Sequence, residues 1–177
     1  PLTPKASNMV RLKHRYFLAE IIFPDGRRLQ RNIKSNDVYF SVREALHAAY
    51  GDYGIGVLKS SLMVKYLNKD THMVIVRAKR DFYRLAQAAL TFVKKIGEHD
   101  AFLNTLHIGG TIRACQKFLI RHHRQHLPLL YQECNTQEER DNVQLMLLSS
   151  CVDMETFSKK TEEKERSLSE IAGESLS

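Results

Sequence analysis

The sequence predicts an α+β domain with the ferredoxin-like order βαββαβ, in which two helices pack on one face of a four-stranded antiparallel sheet and extra helices follow. Two observations support this prediction. Apolar residues change periodicity along the chain in the order strand, helix, strand, strand, helix, strand. The connection Asn68-Lys69-Asp70 is also too short for a crossover, so the second and third strands form a hairpin.

The first half of the domain is predicted as a strand and a helix. The strand runs from about Val10 to Ile22 and ends at the turn Pro24-Asp25-Gly26. Asp37 is expected to cap the helix, which the segment Gly51 to Gly56 ends. The apolar face of this helix consists of Tyr39, Val42, Leu46 and Ala49.

Two strands, a helix and a strand follow. Alternating apolar residues predict strands at Gly56 to Asn68 and Thr71 to Arg80. Asp81 is expected to cap the second helix, which ends at Lys94 to Gly97, where cationic residues precede a glycine. The fourth strand is predicted from Ala101 to Ile108.

The extra C-terminal helices begin after a glycine turn. Gly109-Gly110 predicts a tight turn that requires glycine geometry at its second residue, and Thr111 is a good N-cap for the helix that follows. This helix runs to His126 and is stopped by Pro128. Thr136 is expected to cap one further short helix.

The chain is predicted to contain one domain between two terminal segments. Residues 1–8 are interpreted as a flexible N-terminal extension, residues 9–150 as the domain and residues 151–177 as a disordered tail that is polar and poor in aromatic residues. The formal net charge is +7, and the segment from Asp153 onward carries four Lys/Arg against seven Asp/Glu. The rest of the chain therefore carries +10, which favours a polyanionic partner.

Composition argues against several other classes of protein. No apolar run approaches the length of a spanning helix, so no membrane partner is expected. The three cysteines, Cys115, Cys134 and Cys151, lack the spacing of a zinc or redox site and are interpreted as reduced structural residues.

The helix after Gly110 carries a basic face. Arg113, Lys117, Arg121 and Arg124 recur at spacings of three and four, next to a helix N-terminus whose unpaired N–H groups attract anions. Taken alone, the segment is better described as a tight turn followed by a solvated helix face, since anion sites are a minority of helix N-termini. The sequence therefore predicts an anion-binding surface only in combination with the rest of the chain.

A basic surface is also predicted on the sheet. Tyr16 and Leu18 are expected to face the helices, which places a basic set on the open side, namely Arg11, Lys13, Arg15, Lys65, Arg77 and Lys79. The same side carries the apolar residues Phe17, Ile21, Met63, Met73 and Ile75. We expect the extra C-terminal helices or a partner protein to cover part of this apolar surface. RNA-recognition motifs share this fold but stack bases on sheet aromatics, of which only Phe17 is present here. Contacts to the RNA backbone are therefore favoured over base reading.

No catalytic residues are predicted. His122, His123 and His126 are spaced so that a metal is conceivable, but histidines in a last helical turn also suit the helix dipole, and no carboxylate or thiol joins them in sequence. No serine-hydrolase, zinc-protease or phosphate-loop motif is present, nor an acidic cluster for magnesium. We therefore expect no catalytic site, no metal site and no cofactor bound by the protein.

Four segments resemble one known family. They are Met9 to Tyr16, Tyr66-Leu67-Asn68 with Phe82-Tyr83, and the continuous motif Asn104 to Leu119, which reads NTLHIGGTIRACQKFL. The chain resembles the Pop/Rpp protein-subunit family of eukaryotic ribonuclease P and ribonuclease MRP over about residues 9–150.

The resemblance implies a function outside the protein's own side chains. In such particles a magnesium-dependent RNA subunit removes the 5′ leader of precursor tRNA, and the MRP particle processes ribosomal RNA. The implied partners are that RNA, the precursor tRNA leader, a TIM-barrel-like Rpp subunit and other Pop/Rpp subunits, in the nucleus and nucleolus. The implied RNA contacts are Gly109, Gly110, Thr111, Arg113 and Lys117, with Arg11, Lys13 and Arg15.

Two alternatives from other classes remain open. One is a small acylphosphatase-like enzyme, which needs an arginine-bearing loop after the first strand; Pro24-Asp25-Gly26-Arg27 offers the arginine without a convincing cradle. The other is a protein-only interaction scaffold that touches no nucleic acid.

Overall fold

The computed structural model describes residues 13–24, 33–134 and 136–174. Within these ranges the chain forms six strands and four helices, with one 3₁₀ turn at Arg80–Phe82. In chain order they are β1 (His14–Ile22), α1 (Ser35–Leu58), β2 (Met63–Leu67), β3 (Met73–Lys79), α2 (Tyr83–Thr91), β4 (Lys95–Ile96), β5 (His99–Asp100), β6 (Phe102–Gly109), α3 (Ile112–Glu133) and α4 (Gln137–Glu174).

Four strands form one antiparallel sheet in the order β2-β3-β1-β6. This confirms the predicted α+β fold with a four-stranded antiparallel sheet and extra C-terminal helices. The β2–β3 hairpin is closed as expected, because the Asn68 Oδ1 atom accepts hydrogen bonds from the backbone N–H groups of Asp70 and Thr71, both at 2.9 Å. The small β4–β5 hairpin is an addition that the sequence pattern did not predict.

Both faces of the sheet are covered, so the described elements leave no open face. Phe17 and Ile21 of β1 pack with α1 and α2 in one core. Tyr16 and Leu18 pack on the opposite face, in a second core with α3 and with Met154 of α4. The predicted facing of β1 is therefore wrong. A strand that is apolar on both sides gives no alternation from which the direction of its side chains can be read.

Helix α1 begins and ends differently from the prediction. Its first turn is closed by the Lys34 backbone N–H, which donates to the Asp37 carboxylate at 2.7 Å, so Asp37 is the third helical residue rather than the cap. The helix does not end at Gly51. Gly51 adopts a positive φ of 59°, which kinks the helix, and the second segment continues to Leu58, which is fully buried.

The predicted limits of α2 are also wrong. Asp81 lies in the 3₁₀ turn and pairs with Lys79, with Nζ and Oδ2 3.5 Å apart, instead of capping a helix. The helix ends at Thr91. Gly97, expected to stop it, has φ 63° and turns the β4–β5 hairpin, a conformation that glycine adopts without strain.

The caps of the last two helices are confirmed, but one limit is not. Thr111 Oγ1 accepts a hydrogen bond from Ala114 N–H at 3.2 Å, and Thr136 and Glu139 form a reciprocal capping box at 3.2 Å each way. Pro128 does not stop α3, which continues to Glu133. The Tyr131 hydroxyl beyond the proline bonds to Gln144 of α4 at 3.1 Å, and this contact supports the last turns of α3.

The C-terminal segment is helical where disorder was predicted. Met154 is fully buried, Ser158 is 4% exposed and Phe157 packs against Tyr66 with ring centroids 5.8 Å apart. The prediction of a disordered tail is therefore wrong for these residues. Buried positions recur at helical spacing through Leu147, Met154 and Ser158, a stripe that polar composition concealed. The predicted extension 1–8 lies outside the described residues.

Candidate nucleic-acid interface

One end of the sheet gathers basic side chains from four parts of the chain. In the register of β1, His14 pairs with Lys79 of β3 and Tyr16 pairs with Gly109 of β6, so these strand ends meet where α3 begins. The Arg80 backbone N–H donates to the Lys13 carbonyl at 2.9 Å. We call this region the basic end of the sheet, comprising Lys13, Arg15, Arg80, Arg84 and Arg113.

Arg15 lies at the centre of the basic end. Its Nη1 atom would lie 3.1 Å from a Cβ built on Gly110, so the guanidinium lies against the glycine turn. A side-chain hydrogen bond from Arg84 is the main cause that lowers the pKa of Tyr83, and the charge of Arg15 adds a smaller effect in the same direction. Arg80 and Arg84 were missed in the sequence, because only strand pairing brings them to this end.

The predicted RNA-binding residues fall into separate groups. Lys13, Arg15, Gly109, Gly110, Thr111 and Arg113 meet at the basic end. Lys117, Arg121 and Arg124 continue as exposed residues along α3. Arg11 lies outside the described residues.

The single basic patch predicted on the sheet does not form. Arg15 pairs with Ala78, whereas Arg77 pairs with Tyr16, so the two arginines point to opposite faces. Arg77 Nε donates to the Ser61 carbonyl at 3.3 Å, and Lys79 lies 5.5 Å from the ring centre of Phe82. Lys65 is half-buried in a bulge of β2 and lies away from the basic end.

The glycine turn is required for packing rather than for backbone angle. Among the described residues only Gly51 and Gly97 are glycines with positive φ, so the expectation that Gly110 needs glycine geometry is wrong. A Cβ on Gly109 would lie 3.1 Å from Cys115 Sγ, 3.1 Å from Thr111 O and 3.2 Å from Ala114 Cβ. A side chain at residue 109 would therefore require these atoms at the first turn of α3 to move by a few tenths of an ångström.

We expect Gly109→Ala to lower the free energy of unfolding by about 1–3 kcal/mol, the usual cost of overpacking a filled site. Urea denaturation measures it. Gly56→Ala is the control: a Cβ there meets nothing within 4 Å, and alanine is the better helix former by up to about 1 kcal/mol. Equal behaviour of the two variants would contradict the packing argument.

A column of rings runs along α3 beside its basic residues. His107 of β6 stacks on Phe118 at 4.6 Å, Phe118 lies 6.1 Å from His122, and His122 lies 4.2 Å from His126. His123 points into the second core instead, where its Nδ1 atom is 3.7 Å from Cys151 Sγ. A thiol does therefore approach these histidines, although no group of three potential metal ligands exists among the described residues.

Burial controls the titration of the groups in this core. Desolvation, with smaller contributions from the nearby His122 and His126, lowers the pKa of His123 to about 4. Desolvation also raises the pKa of Cys115 to about 11, so this thiol stays protonated and unreactive at neutral pH. Both residues act here as packing groups.

Stability should fall between pH 6.5 and pH 4 because of His123. In this range His123 is protonated in the unfolded chain but stays neutral in the folded chain. The stability that the neutral ring contributes is therefore present above pH 6.5 and is lost as the pH falls toward 4. Urea denaturation across this range checks it, with His123→Leu as the reference that lacks the titration. Parallel pH profiles for the two proteins would contradict the assignment.

Comparisons with known proteins agree on one family. A model of the Rpp14/Pop5 family matches residues 15–120, the span from β1 into α3. The ribonuclease P/MRP protein subunit POP5 of Bos taurus is 38% identical over 81% of this chain and 86% of its own length. The human protein of the same name is 37% identical over 81% of this chain and 90% of its own length.

Two further matches are less similar to this chain. The POP5 subunit of Saccharomyces cerevisiae is 30% identical over 69% of this chain and 82% of its own length. A chain in the cryo-EM structure of yeast ribonuclease MRP is 13% identical over 68% of this chain and 98% of its own, with a TM-score of 0.45. No helix in the described ranges is both long and apolar enough to cross a membrane. The family match and the identity to curated relatives establish that this chain belongs to the Rpp14/Pop5 family.

Proposed function

We propose that this chain is a non-catalytic, RNA-binding protein subunit of ribonuclease P and ribonuclease MRP, the counterpart of the fifth Pop subunit. The observation that carries the proposal is the basic end of the sheet in a chain of this family. Lys13, Arg80, Arg84 and Arg113 are exposed there, and the charged face continues along α3. Exposed cations at one end of a sheet and along the adjoining helix are suited to a phosphodiester backbone.

The protein's role in this proposal is to hold RNA, and the RNA subunit carries out the chemistry. The magnesium-dependent RNA would remove the 5′ leader of precursor tRNA in ribonuclease P, and the MRP particle would process ribosomal RNA. Backbone binding suits this role, because positioning contacts carry no sequence information and so can serve both particles. The ring column on α3 adds a surface on which an unpaired base can stack.

The proposal includes protein partners and a location. We propose the TIM-barrel-like Rpp subunit, other Pop/Rpp subunits and the precursor tRNA leader as partners, and the nucleus and nucleolus as the site of action. The alternative loop for an acylphosphatase, Asp25 to Arg27, lies outside the described residues.

Purification of the tagged chain from cells tests the proposal. Ribonuclease P RNA and MRP RNA should accompany the chain, and the particle should remove the leader from a precursor tRNA. Digestion with a nuclease should abolish this cleavage. Isolation of the chain with proteins but without RNA would favour the scaffold alternative, and acyl phosphate turnover by the pure protein would favour the enzyme.

A further inference from the structure

The aromatic pair Phe82-Tyr83 lies at the basic end of the sheet, where the 3₁₀ turn passes into α2. Both rings pack against the first core and are still partly exposed. The aromatic residues of β1 offer no such surface, because Tyr16 and Phe17 are buried. Rings held in this way present a fixed aromatic surface beside the cations.

Tyr83 differs from Phe82 in what lies over its ring. The Lys79 ammonium lies 5.5 Å from the ring centre of Phe82 and occupies one of its faces. Tyr83 contacts no other ring in the part of the chain that the structure describes. In the ring column, by contrast, His107 and Phe118 stack on each other at 4.6 Å. Of the pair at the basic end, Tyr83 is therefore the ring that is left for a planar partner from outside.

Two arginines approach the hydroxyl group of Tyr83. The Arg84 side chain donates a hydrogen bond to it, and the charge of Arg15 acts on the same group. Strand geometry explains the approach of Arg15, which points to the same face of β1 as Phe17, the face that α2 covers. Its Nη1 atom also lies 3.1 Å from the position of a Cβ on Gly110. One aromatic ring and two guanidinium groups thus meet at one place.

These positive charges are not balanced from within the described chain. Asp81, the acidic residue of this turn, pairs with Lys79, with Nζ and Oδ2 3.5 Å apart. Among the described residues, no carboxylate forms an ion pair with Arg15, Arg80 or Arg84. Like charges held together without an anion repel each other, which costs stability. An anion from outside, bound beside Tyr83, would remove this cost.

A ring beside unpaired cations is suited to a nucleotide, which combines a flat base with an anionic phosphate. We propose that Tyr83 stacks on one unpaired base of RNA while Arg15 and Arg84 hold the neighbouring phosphates, so that the basic end prefers single-stranded to duplex RNA. In a duplex the base would first have to leave its own stack, which costs free energy. The inference rests on the proposed function and deepens it by naming the form of RNA and the residue that selects it.

Tryptophan fluorescence of Tyr83→Trp in the full chain tests the stacking. The sequence contains no tryptophan, so the emission reports on position 83 alone. A single-stranded RNA oligonucleotide should quench this emission as it binds, whereas an abasic strand of the same length and an RNA duplex should leave it unchanged at saturation. Constant emission with bound single-stranded RNA would overturn the proposal, and so would equal quenching by the duplex.

Phe92→Trp is the matched control for this measurement. Phe92 is 56% exposed and lies at the other end of α2, about 13 Å from Tyr83 and next to Lys94 and Lys95. It therefore places an equally accessible ring beside two cations outside the basic end. Its emission should stay constant with every RNA, and quenching equal to that at position 83 would mean that RNA has no preferred site on α2.

Affinity measurements at several salt concentrations separate the ring from the charges. Tyr83→Leu keeps apolar bulk against the first core but should bind single-stranded RNA about tenfold more weakly, the loss of one base stack, and duplex RNA with unchanged affinity. Its slope of log K against log salt should stay the same, whereas Arg84→Gln should make the slope shallower by about 0.7, the value for one phosphate. Unchanged binding of single-stranded RNA by Tyr83→Leu overturns this inference and leaves the proposed function standing. A wild-type chain that binds RNA in neither form overturns the proposed function itself.

Discussion

Replacement of Arg113 and Lys117 by glutamate is expected to weaken RNA binding by on the order of a hundredfold at low salt, because two charge-assisted contacts are lost. The slope of log K against log salt should become shallower by about 1.4, which corresponds to two phosphates on a single strand. Both side chains are exposed on α3, so the fold should be unaffected. Fluorescence anisotropy with a labelled RNA, repeated at several salt concentrations, measures both quantities.

The pair Lys94→Glu and Lys95→Glu is the matched control. Both lysines are exposed, and the change in net charge is the same. They lie near the start of β6, and the glycine turn follows its end; eight strand residues separate the two places by about 26 Å. If the control pair flattened the slope as much as the α3 pair, binding would depend on overall charge and not on the basic end.

Met154→Ala is expected to lower the free energy of unfolding by about 2–5 kcal/mol, as for other large-to-small changes in a filled core. Met154 is fully buried in the second core, between the sheet and α3. Urea denaturation measures the loss. Val152→Ala, on the same helix but 60% exposed, should change stability by less than about 0.5 kcal/mol. A negligible effect of Met154→Ala would mean that α4 does not pack on the domain.

The fold was predictable because its strongest signals are local. The Asn68 turn, the Thr111 cap and the Thr136 cap each depend on residues within three positions, and all three form as expected. The helix limits at Gly51 and Pro128 were mispredicted because they depend on tertiary packing and not on local residues alone. Tertiary packing, such as the burial of Leu58, carries each helix past a residue that would end it in isolation.

The candidate site was only partly predictable, since it depends on register and on distant segments. The spacing of Arg113 and Lys117 along one helix face can be read from the sequence alone. The approach of Arg80 to Lys13 cannot be read from the sequence, because it requires the pairing of β1 with β3. The separation of Arg15 from Arg77 depends on which face of β1 each side chain takes, and a strand that is apolar on both sides does not show this.

The closure of α4 over β1 also has a consequence for biosynthesis. Strand β1 is among the first parts of the domain to leave the ribosome, whereas Met154 and Ser158 follow about 140 residues later. The second core therefore cannot be completed on a nascent chain until this part of α4 has been made. A nascent chain that lacks α4 would leave the apolar face of Tyr16, Leu18 and Ile75 without its Met154 contact. In this fold, the last helix to be synthesised completes the packing of the first strand.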